Sequence, residues 1–320
     1  MYQNIKINKI EGSKVEIIGS VKTESFSSFR KQALENINNE ITLDGFRKGK
    51  VPENILVGKV GDMTILEEMA ELAISKVYPE IIIGEKIDAI GRPEIHITKL
   101  ASDNPLEFKI ITTVLPEIKL GDYKKLAKEN NEKIKIPETF EVTEKEVEDI
   151  ITKIKSSHAD HTGHDHDSED FKSKIKNTLL SEKKMEAQDK KRIALSDAIL
   201  QSSSFEIPEL LIESETRRIE AQFSDDVSRM GVKIEDYLKQ ANKSIEDLRK
   251  DWRPHAEKKS KLQLILNEIA RLEKISVDAK TIEDEVKNIL AHYKDANQEH
   301  AYTYAETVLT NEAVYKFLEN

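Results

Sequence analysis

Of the eleven glycines in this 320-residue chain, nine fall before residue 122, and only Gly163 and Gly231 follow. Glycine supplies the positive-φ positions of tight turns and weakens a helix interior. So uneven a distribution divides the chain into a turn-rich front and a back that reads as helix. The front carries two β-branched runs, Ile5, Ile7 and Ile10, then Val15, Ile17, Ile18 and Val21, around Glu11-Gly12-Ser13. They predict a hairpin over 3–10 and 14–22. Further strands are expected at 94–100 and 106–114. Between the strand pairs, Phe26, Phe29, Ala33, Leu34 and Ile37 recur at helical spacing and predict a helix over 25–41. A short helix at Ile55–Val57 and a longer one from Met63 to Tyr78, stopped by Pro79, complete an α+β domain over 1–115.

Beyond it, 116–157 reads as a charged connector, extended at 133–137, followed by one helix. Thr143 and Glu146 have capping-box spacing, and Val147, Ile150, Ile151 and Ile154 share a face. Residues 158–168 form a histidine-rich linker. From 169 to 320 an elongated all-α domain is expected, with helices over 171–200, from Pro208 to about Gly231, from Ser244 through a possible kink at Pro254, over 279–293 and over 302–318. Charged residues make up 34% of the chain against 38% hydrophobic, which suits long helices with wide solvated faces.

The stretch with most chemical character is Gly45-Phe46-Arg47-Lys48-Gly49-Lys50-Val51-Pro52. Two glycines let the backbone turn on either side of Phe46, Arg47 and Lys48, and Pro52 suits the start of a following helix. An aromatic beside an arginine is a frequent pairing at binding hot spots. By residue type alone the stretch is either such a tip or, more commonly, a solvated basic turn.

It resembles the ribosome-attachment signature Gly-Phe-Arg-x-Gly-Lys-x-Pro of the trigger factor family, and all six fixed positions match. Phe205 to Ile212 with Glu213 and Glu215 is similar to the start of that family's C-terminal arm, and Trp252-Arg253-Pro254 with Lys261 to Ala270 to the helix where its arms meet its body. The resemblance implies an ATP-independent chaperone. It would dock at the large ribosomal subunit beside the exit tunnel through Gly45, Phe46, Arg47, Lys48, Gly49, Lys50 and Pro52, and hold nascent or unfolded polypeptides, with weak homodimerisation possible off the ribosome. Family members usually carry an inserted prolyl isomerase domain. Here 156–169 leaves no room for one, so no enzyme activity is expected.

In that gap stand His158, His161, His164 and His166 among aspartates. Such a cluster can chelate nickel, zinc or copper; a polar linker with no resident metal is the favoured reading. No cofactor is expected. Cysteine is absent, which removes thiol chemistry and disulfides, and no phosphate-cradling glycine motif appears. The acidic pair Glu67-Glu68 reads as a solvated helix face, His255 as surface, and Trp252 as core rather than client groove. A net charge of −10 argues against a general nucleic-acid coat, and no apolar run is long enough for a signal peptide or membrane span. The expectation is a cytoplasmic protein. A ribosome-independent scaffold and a residual isomerase are the alternatives.

Overall fold

A computed structural model describes residues 1–137, 139–157, 169–293 and 296–320. The chain divides into two compact units, Met1–Glu117 with Phe205–Ser260, and Ile118–Ser204 with Lys261–Asn320.

The first unit begins with strands β1 (Tyr2–Ile10) and β2 (Lys14–Val21), then helices α1 (Thr23–Ser27), α2 (Arg30–Glu40) and α3 (Glu53–Gly84), and strands β3 (Ala89–Lys99) and β4 (Leu106–Val114). The strands form one antiparallel sheet in the order β1-β2-β4-β3. Val15, Ile17 and Val21 of β2 and Leu106, Phe108 and Ile110 of β4 are buried with Phe26, Ala33, Leu56, Ile65, Ala73, Val77 and Ile81 from the helices. Each fully buried large side chain contributes about 1.5–3 kcal/mol, so this layer of helices on one sheet face holds the Met1–Glu117 part of the unit together. The buried Thr112 hydroxyl is satisfied by Tyr78 Oη at 2.9 Å.

Two expectations need correction here. The helix expected over 25–41 is two, parted at Ser28–Phe29, where the Ser28 hydroxyl donates to the Ser25 carbonyl at 2.6 Å and competes with the helical ladder. Pro79 does not stop α3, which continues to Gly84. Ile81 lies fully buried beyond it, and that burial outweighs the single hydrogen bond a proline forfeits. α3 instead bends at Gly61, whose φ of +81° is non-helical.

The remaining elements are helices α4 (Tyr123–Lys133), α5 (Glu144–Ser157), α6 (Glu169–Ser202), α7 (Glu209–Arg229), α8 (Ile234–Ala241), α9 (Ile245–Glu273), α10 (Ala279–His292) and α11 (Gln298–Glu319). α4 is a helix inside the expected charged connector and ends at Lys133, where Ile134 turns extended. Asp122 caps it by accepting from Lys125 N at 3.0 Å, and buried Asn130 donates to the Lys191 carbonyl at 3.1 Å. α8 was not expected either; Asn242 closes it in the left-handed conformation, φ +51°. α9 runs on through Pro254.

Within the first unit, Phe223 of α7 packs against Tyr237 of α8 and Trp252 of α9, each ring 5.2 Å away, so Trp252 is a packing residue. Arg249 bridges to Glu220 at 2.8 Å, and Arg253 to Glu209. In the second unit the capping box before α5 forms as expected: Thr143 N donates to Glu146 Oε2 at 2.9 Å and Glu146 N to Thr143 Oγ1 at 3.3 Å. Arg192 of α6 reaches Glu312 at 2.6 Å and Glu319 at 2.7 Å on α11.

Candidate functional site

The loop of residues 41–52 joins α2 to α3 and is built from two successive tight turns. In the first, Phe46 N donates to Leu43 O at 3.1 Å; in the second, Lys50 N donates to Arg47 O at 2.9 Å. Each turn has glycine third, Gly45 at φ +85° and Gly49 at φ +79°. That is the place and the angle at which a type II turn requires a residue without a Cβ. The two glycines that frame the motif thus fix its path, and Phe46, Arg47 and Lys48 occupy the crest between them.

The base is held by α2. Gly49 N donates to the Asn38 carbonyl at 3.0 Å, while the Asn38 side chain accepts from Val51 N at 3.1 Å and donates to Val51 O at 2.9 Å. Val51 is buried in the core of the unit. Pro52 caps α3, its carbonyl accepting from Ile55 N and Leu56 N at 3.0 and 2.9 Å. A short loop that leaves one helix and is pinned back to it at its far end loses little further entropy on binding.

The crest itself faces water. Phe46 keeps 37% of its surface exposed, and Arg47, Lys48 and Lys50 are exposed as well. Among the described residues no ion pair engages these three cations. The structure therefore brings the motif together as one surface with an aromatic and free positive charge. Asn38 was missed by sequence reasoning, because its partner Val51 lies thirteen residues away and nothing local marks the contact. His158, His161, His164 and His166 lie outside the described residues. Among the described residues no cluster of histidine and carboxylate side chains is arranged to hold a metal.

Family models describing the bacterial trigger factor protein match residues 3–154, and the trigger factor C-terminus matches residues 168–318. The chain belongs to the trigger factor family. The trigger factor of Halothermothrix orenii is 22% identical, with 92% of this chain and 91% of that protein covered. The trigger factor of Clostridium kluyveri is 20% identical, with 98% of each covered. A solved trigger factor chaperone, described for promiscuous substrate recognition in folding and assembly activities, superposes with a TM-score of 0.57 at 15% identity over 99% of both chains, and so shares the fold.

The Halothermothrix pairing spreads 92% of 320 residues over 399 aligned positions. On the order of a hundred positions of that trigger factor thus face no residue here, about the size of a small domain. The two family models leave only residues 155–167 between them. As for membranes, no described helix is long and apolar enough to cross one.

Proposed function

We propose that this chain is an ATP-independent holdase, docked at the large ribosomal subunit beside the exit tunnel by Gly45–Pro52. The observation that carries the reading is the crest of Phe46, Arg47 and Lys48, raised on two glycine turns and pinned by Asn38. Phe46 supplies a desolvated anchor. Arg47 and Lys48 pair with carboxylate or phosphate on the ribosome, contacts that weaken as salt rises. Residues 1–115 make the docking domain, and the helices of 169–320 hold unfinished chains in the cytoplasm until those chains bury their own apolar surface. Apolar side chains left in water, among them Met185 and Ile193 on α6, Met230 after α7 and Tyr304 on α11, suit weak, exchanging contacts of that kind.

No step needs a nucleotide, a metal or a prolyl isomerase site. The roughly hundred unmatched positions and the short interval 155–167 support the absence of the isomerase domain. Two assays test the reading. The chain should suppress aggregation of a chemically denatured client on dilution without ATP, and should leave a proline-limited refolding rate at its uncatalysed value. Aggregation unaffected by the chain, or refolding accelerated above background, would overturn it.

A further inference from the structure

β3 has a strand partner on one edge only, because the sheet order places it last. Residues directly opposite each other in an antiparallel pair point to the same face. Ile95 stands opposite Ile110, and Ile97 opposite Phe108. Ile110 and Phe108 are fully buried under the helices, yet Ile95 and Ile97 are 46% and 38% exposed. The core face of the sheet therefore overruns its helical cover by one strand. What remains is a groove of about 700 Å³ between β3 and α3, with Ile95, Ile97 and Leu100 on one side and Met63, Ala70 and Ile74 on the other. Glu67 and Glu71, one helical turn apart on α3, line it too, and among the described residues no ion pair occupies either. The lining's cation, Lys99, already faces Glu107 at 3.7 Å.

We propose that this groove receives an extended, apolar segment of an unfolded polypeptide that carries lysine or arginine, added to β3 as a fifth strand. The proposal rests on the holdase reading and names the chemistry of one class of client. Between Glu94 and Thr98 the outer edge of β3 has no backbone partner among the described residues, and an added strand satisfies those groups. Because a strand repeats every two residues, alternate side chains of the segment enter the groove beside Ile95 and Ile97. The groove's size is that of a typical ligand site, enough for a few large apolar side chains. Glu67 and Glu71 then favour a cation at its lip. The same carboxylates disfavour a second copy of this chain, since pairing β3 with β3 would bring both copies' glutamates together.

The test uses the full chain and a fluorescent peptide of roughly nine residues with threonine at every second position and leucine between them, lysine replacing the last leucine so that the cation shares the face turned toward Glu67 and Glu71. Anisotropy should show binding that falls about tenfold or more when alternate peptide amides are N-methylated, or when glutamate replaces lysine, and β3 amides should gain exchange protection. Ile95→Thr with Ile97→Thr should weaken binding by about tenfold. Glu67→Gln with Glu71→Gln should weaken it and flatten its salt dependence, and this pair covers the case in which the threonines loosen the strand. Equal binding of the N-methylated peptide, or affinity unchanged in both double variants, would overturn the proposal. So would β3 protection that rises with protein concentration in the absence of peptide, which would assign the edge to a second copy. Failure of the groove alone leaves aggregation suppression by the wild-type chain intact, whereas failure of the holdase reading removes that suppression.

Discussion

Asn38 grips the peptide backbone of Val51 at both polar groups, accepting from its N–H at 3.1 Å and donating to its carbonyl at 2.9 Å. The last turns of α2 are thereby tied to the chain three residues past the crest, and Phe46, Arg47 and Lys48 inherit a fixed base. Asn38→Asp keeps the acceptor and loses the donor; Asn38→Ala loses both. At about 0.5–1.5 kcal/mol per hydrogen bond, the alanine variant should be destabilised by about 1–3 kcal/mol in urea unfolding, the aspartate variant by roughly half that. Equal stability of all three would show that the grip does not hold the loop.

Gly49→Ala should cost more than Gly45→Ala. Both positions have positive φ, a penalty of about 1–2 kcal/mol for an alanine. Only at Gly49 would the new Cβ also meet a neighbour, Asn39 Oδ1 at 2.7 Å, while Gly45 has open space around it. Adding Asn39→Ala to Gly49→Ala should recover part of the loss, and thermal melting of the two single variants and the pair measures that coupling.

The crest could be read from the sequence because its determinants are local: two glycines, an aromatic and cations within eight residues. The hairpin was equally plain from its period of two. α4 and α8 were not. α4 is polar along most of its length and is held by contacts such as Asn130 to the Lys191 carbonyl, sixty-one residues away. α8 is eight residues long and buries none of them. Pro79 reads as a stop and Pro254 as a kink or break, yet each sits inside a helix whose packing continues past it. The open groove could not be seen at all. Ile95 and Ile97 look like any inward-facing strand residues until the strand order puts β3 at the edge.

Arg192 should be the costliest charged residue to remove from the second unit. It is largely buried and bonds two carboxylates on α11 through its Nε, Nη1 and Nη2 atoms, while stacking 5.0 Å from the Tyr315 ring. Those hydrogen bonds, to Glu319 first and Glu312 next, raise its pKa further above the ordinary arginine value. Arg192→Met keeps much of the stem and removes the charge, which leaves the largely buried Glu319 without its partner. A loss of about 2 kcal/mol is expected from the urea midpoint, against less than about 1 kcal/mol for the exposed pair Arg217–Glu213.

Glu146 should give α5 a pH dependence. Its carboxyl is held down at about 2, first by the Lys183 ammonium at 2.7 Å and then by the Thr143 backbone and hydroxyl, against an ordinary value of 4.5. Between those values the unfolded chain binds more protons than the folded one. The stabilisation is therefore complete above pH 4.5 and is lost as pH falls toward 2. Glu146→Gln keeps the cap and deletes the titration. Amide exchange in α5 should accelerate over that window in the wild-type chain relative to the variant. Parallel profiles would contradict the assignment.

The central claim is that the Phe46-Arg47-Lys48 crest moors the chain to the ribosome while the helices act elsewhere. Co-sedimentation with purified ribosomes, carried out for the wild-type chain and for Phe46→Ala, Arg47→Ala and Lys48→Ala combined, tests it most directly. The account predicts that the triple variant stays in the supernatant yet suppresses client aggregation about as well as the wild type. Pelleting of the triple variant with ribosomes to the wild-type extent would contradict it.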